Sequence, residues 1–145
     1  MKTAETYLSP NGIVLPSWVY NFVPNDGVCR QLQLSHGYCL DVEEFVSGDA
    51  CLCVARISTN DIQSCDHFRT CVHEIFMVLM NSVGAVPGCS PVRMWNFISG
   101  IHDRSAVGGT RYETFNEGRY SGYQEFLAAD IISPEQVPAA SAIGH

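Results

Sequence analysis

The chain has 145 residues, of which 46% are hydrophobic and 16% charged. That is the make-up of a single ordered domain with a real core, which excludes a disordered chain. A net charge of −7 argues against a nucleic-acid binder, because phosphate contacts need a basic surface. A few buried arginines can still hold a small anion locally.

The N-terminal MKTAETYLSP carries no apolar core of signal-peptide length, and no run approaches a membrane span. The seven cysteines form no Cys-x-x-Cys pair, so they read as reduced thiols of a cytoplasmic protein. Neither membrane, nucleic acid, cofactor nor metal is expected.

Residues 1–27 are rich in Pro, Asn and Gly and read as an irregular lead-in, with a short strand at Trp18–Val23. Residues 28–145 form one domain. Val28–Ile57 reads as three strands, with Ser47-Gly48-Asp49 as the turn between the second and third. Ala50–Ile57 is nearly all apolar and is expected to be an interior strand.

A helix follows over Asp66–Val83, with Phe68, Val72, Ile75, Phe76, Leu79 and Val83 as its apolar stripe. Pro91–Ile98 is a strand with Arg93, Trp95 and Phe97 on one side and Val92, Met94, Asn96 and Ile98 on the other. Thr110 and Glu113 form a capping-box pattern that opens a second helix, running to about Ala128. Val137–Gly144 begins another strand. The order gives an α+β fold, a mixed sheet with two helices packed on one face.

The second helix carries the strongest chemical signal. With Phe115 as reference, at about 100° per residue, Phe126 shares its direction and Tyr112 and Tyr123 lie within about 80°. Arg111 and Arg119 fall at roughly −40° and +40°, inside the inward sector. A guanidinium there must be paired or must meet an anion. Gly118 and Gly122 lie on the same side; each weakens a helix by about 1 kcal/mol, so a close approach by a strand, a helix or a ligand is expected.

Three ordered segments resemble the chorismatase family. They are Arg93-x-Trp95-Asn96-Phe97 with Ile101 after it, Arg111-Tyr112-x-x-Phe115-x-x-Gly118-Arg119, and Pro138-Ala139-Ala140-Ser141-Ala142-Ile143-Gly144. The resemblance spans the chain but only the first half of a usual member. It implies a RidA/chorismate-mutase-like fold and assembly as a homo-oligomer, a trimer by analogy, or with a complementary subunit. It also implies a chorismate-like substrate held at Arg111 and Arg119, with Tyr112, Trp95 and Asn96 as lining residues.

Such a ligand is a dicarboxylate, and a guanidinium fork can bind each carboxylate through two hydrogen bonds. Release of pyruvate by enol-ether hydrolysis, in natural-product or aromatic-acid biosynthesis, would follow once a glutamate from the second half supplied the proton. Glu113, Glu117 and Glu125 are not assigned that role. RidA relatives instead hydrolyse imines with an arginine in Pro-Ala-Arg, where this chain has Ala140. The remaining alternative is a non-catalytic binding or scaffold subunit.

Other constellations are weaker. Cys51 and Cys53 share one strand face, but Cys71 and His73 stand about 200° apart on a helix and cannot converge on one ion. A Cys–His nucleophile pair has no thiol marked for activation.

Overall fold

The computed structural model describes residues 6–8, 14–16, 27–48, 50–58, 62, 64–105 and 108–144. The strand expected at Trp18–Val23 and Asp49 of the expected turn lie outside these residues, as does most of the lead-in. Two short strands, β1 (Thr6–Leu8) and β2 (Val14–Pro16), pair antiparallel.

β3 (Val28–Gln33), β4 (Cys39–Ser47) and β5 (Ala50–Ile57) form an antiparallel sheet in that order. Gly48 makes the turn between β4 and β5 with φ at 59°, a left-handed value that glycine adopts without a Cβ penalty. The central strand is therefore β4, not β5 as its apolar run predicts. Leu40 and Val42 of β4 are fully buried toward the helices, whereas β5 is half-buried along its length. β5 is apolar on both sides because each side is partly covered: Cys53, Ala55 and Ile57 meet the main core, and Leu52 and Val54 meet Phe45 on the other face.

The first helix, α1, spans Cys65–Gly84 and is opened by Ser64, whose hydroxyl accepts the amide of His67. Such a cap contributes about 1 kcal/mol. Its buried stripe is Phe68, Cys71, Val72, Phe76 and Met80. The expected positions Ile75, Leu79 and Val83 lie at its margins, half-buried. The stripe is rotated because α1 has two neighbours to cover, the sheet and a second helix.

That helix, α2 (Arg111–Ala128), begins with the predicted capping box: Thr110 accepts the Glu113 amide, and the Glu113 carboxylate accepts the Thr110 amide. It supplies the crossover that parallel pairing requires. β6 (Arg93–Ile98) and β7 (Ala139–Gly144) pair parallel and in register, from Arg93 opposite Ala139 to Ile98 opposite Gly144. Antiparallel and parallel pairings thus both occur, in separate hydrogen-bonded groups, with the two helices on one side.

The helices cross where α2 has no side chains. A Cβ added at Gly118 would stand 2.5 Å from the Arg69 carbonyl oxygen and 2.8 Å from the Val72 Cβ, and one at Gly122 would stand 3.1 Å from the Phe76 Cβ. The close approach expected at these glycines is thus made by α1. Phe76 then packs edge-on to both Phe115 and Tyr123, at 6.0 and 5.5 Å between ring centres. No described helix is long and apolar enough to cross a membrane.

Candidate functional site

The inward sector of α2 divides into two flanks. Arg111, Gly118 and Gly122 face α1, while Tyr112, Asn116, Arg119 and Tyr123 follow one another at helical spacing on the side toward β6. The Tyr123 hydroxyl reaches the Met94 sulfur at 3.2 Å, which fixes that second orientation.

On the α1 side, the Arg111 guanidinium stacks 4.0 Å from the centre of the Phe68 ring. Its Nε is buried and has no hydrogen-bond partner, and no carboxylate among the described residues pairs with it. Burial holds its pKa below that of an ordinary arginine, with Asp103 and then Cys65 pulling the other way. The surrounding cleft, of about 90 Å³, is lined by Ser64, Cys65, Phe68, Asp103, Arg104, Ser105, Arg111 and Thr114. The N-terminal ends of both helices border it, and although the first amides of α2 are taken by Asp103, Ile101 and Thr110, the two helix dipoles add partial positive charge.

The loop before α2 is tied down for this purpose. The Arg111 amide donates to the Asp103 carbonyl at 2.8 Å and the Tyr112 amide to the Ile101 carbonyl at 3.1 Å. Arg104 bridges to Thr110 across the same loop.

On the β6 side, Arg119 lies 5.8 Å from the centre of the Phe115 ring and forms no ion pair among the described residues. Beside it the Tyr123 hydroxyl is pushed up by burial, against the opposing pull of Arg119. The Asn116 Oδ1 is buried without a partner. Sequence reasoning passed over Asn116; an amide one turn above Tyr112 and close below Arg119 was the available signal.

The strand residues separate by side. Asn96 shares the phase of Met94 and Ile98 and donates to the Ser141 carbonyl on β7 at 3.1 Å. Trp95 points the opposite way, 40% exposed, with Arg93 5.9 Å from its ring centre and Phe97 beside it 65% exposed. Within this domain Trp95 and Asn96 therefore line different faces. Tyr112 is exposed on the first turn of α2.

Asp103 lines the cleft, and Glu43 and Glu117 stand elsewhere. Glu117 pairs with Arg69, which also holds Asp66. Glu43 is 1% exposed with both oxygens unpartnered, but it lies on the β4 face opposite Leu40 and Val42, away from the helices. It is not placed to protonate a ligand at either arginine.

Another cluster joins the helices outside the cleft. His73 Nδ1 is 2.6 Å from the Ser121 hydroxyl, and its Nε2 is 3.1 Å from Glu125. The order serine, imidazole, carboxylate imitates a nucleophile and its base. Ser121 sits in mid-helix, however, where backbone amides are consumed by the helix and cannot stabilise an oxyanion. The cluster clamps α1 to α2. Thiol nucleophiles fare no better: burial pushes Cys71 up to about 11 and Cys53 up to about 12, so both stay protonated at neutral pH.

Comparison with known proteins gives two findings. Residues 31–145 match the family model described as "Chorismatase FkbO/Hyg5-like, N-terminal". Among solved structures, the chain is similar to one described as "Crystal structure of Chorismatase at 1.08 Angstrom resolution", at 24% identity and a TM-score of 0.40. The match covers 84% of this chain and 30% of that one, so this chain spans under a third of that protein's length. No curated protein matches the sequence.

Proposed function

Because this chain belongs to the FkbO/Hyg5-like chorismatase family, through its N-terminal domain, we propose that it binds chorismate or a related cyclic dicarboxylate at Arg111 and Arg119. The observation that carries the reading is the Arg111 guanidinium, buried at its Nε, desolvated and without a carboxylate partner. A protein keeps such a cation at a cost, and binding an anion offsets it. Arg119 offers a second unpaired cation on the other flank, suited to a second carboxylate. Tyr112 and Asn96 line the approach, and Trp95 serves a neighbouring domain or subunit.

The chemistry that follows is enol-ether hydrolysis in natural-product or aromatic-acid biosynthesis. A proton adds to the methylene carbon of the enolpyruvyl group and water adds to the resulting oxocarbenium carbon. The hemiketal then collapses to pyruvate and a ring alcohol. This domain supplies the carboxylate clamps, and the proton donor comes from a second domain or partner, in a homo-oligomer or with a complementary subunit. A second reading, a binding or scaffold subunit without chemistry, draws on the glutamates, since Glu43 lies on the far face of β4 and Glu117 and Glu125 are engaged with Arg69 and His73.

Calorimetry with chorismate tests the binding step, and enzymatic detection of pyruvate tests the chemistry. Binding is expected from the domain alone, and pyruvate only when a C-terminal family domain is added. Arg119→Ala should weaken binding more than it lowers the denaturation midpoint; equal losses would assign Arg119 to the fold instead.

A further inference from the structure

We infer that the cleft between the N-terminal ends of α1 and α2 is a subsite for the small three-carbon carboxylate end of the ligand, and that Arg104 works there beside Arg111. The inference rests on the reading just given and goes beyond it by dividing the two carboxylates between the two flanks of α2.

Size decides first. A cleft of about 90 Å³ holds roughly three waters, at about 30 Å³ each. That is room for a carboxylate and one or two further carbons inside the cleft, with a ring left at its open mouth. Charge agrees. Arg104, Arg111 and Asp103 line the cleft together, which leaves one net positive charge for one monoanion.

The donors agree as well. The Ser105 hydroxyl is spent on the Gly108 carbonyl and the Thr114 hydroxyl on the Thr110 carbonyl. The Ser64 hydroxyl accepts the cap bond from His67 and keeps its own hydrogen to give. Ser64 and the guanidinium ends of Arg111 and Arg104, both of which line the cleft, thus remain for the anion. Stacking on Phe68 holds the Arg111 plane in place, so that less side-chain freedom is lost on binding. The ring carboxylate is left to Arg119.

The test titrates wild type and Arg104→Gln separately with pyruvate, benzoate and chorismate, following binding by calorimetry and the fold by thermal denaturation. Arg104 is exposed, so Arg104→Gln should denature like wild type. Pyruvate should bind wild type and compete with chorismate, and its Kd should rise about tenfold in Arg104→Gln, as expected for a lost charge-assisted hydrogen bond. Benzoate affinity should not change. Absence of pyruvate binding, or equal pyruvate affinity in both proteins, would overturn the subsite even if chorismate bound. Arg104-dependent pyruvate binding without chorismate binding would keep the subsite and remove the chorismate reading. Ser64→Ala, which keeps both cations, should weaken pyruvate by a smaller factor.

Discussion

The two flanks of α2 each carry one arginine without an ion pair among the described residues, and otherwise differ in kind. Toward α1 the helix is stripped to Gly118 and Gly122 so that backbones nearly touch, and Arg111 stands at the open end of that seam. Toward β6 the helix presents Tyr112, Asn116, Arg119 and Tyr123, bulky groups that keep the strand at side-chain distance. One flank therefore fixes geometry and ends in a narrow cleft, and the other is a broad polar-aromatic surface. An arginine without an ion pair on each flank means that packing role and charge pairing are set independently along one helix.

Substitutions can break that comparison. Gly118→Ala should have the largest effect, about 2 to 3 kcal/mol of lost stability by urea denaturation, since its methyl meets backbone that cannot retreat. A loss below about 0.5 kcal/mol would mean that the α1-facing seam is loose. Thr110→Ala, which removes the cap that orients the cleft end of α2, should cost about 1 kcal/mol. Arg111→Met should leave stability within about 1 kcal/mol, on either side, because it also removes a buried unsatisfied donor. The same variant should abolish pyruvate binding; a large stability loss with binding intact would make Arg111 a structural residue. Gly122→Ala should come out near zero, because roughly 1 kcal/mol of helix propensity offsets a 3.1 Å contact with a side-chain carbon.

Much of this was readable in the chain. The capping box at Thr110 marks the start of α2 almost to the residue, because local hydrogen bonds decide a helix end. The alternation of β6 is likewise local. The two glycines announced a close approach but not its partner, which depends on how α1 lies across α2. Sequence pattern misplaced β5 in the interior because an apolar run does not say whether both of its edges are paired. The family resemblance led to Arg111 and Arg119; it did not point to Arg104 or Asn116, which become notable only once the loop closes on the helix ends and burial is known.

The outer face of β6 and β7 has one more consequence. Trp95 is one of two tryptophans in the chain and stands there partly in water, beside the guanidinium of Arg93. Its indole is an optical reporter built into the surface, emitting toward the red while wet. Anything that settles on that face and excludes water will draw the emission toward the blue, so assembly of this domain can be followed by its own fluorescence, without a label.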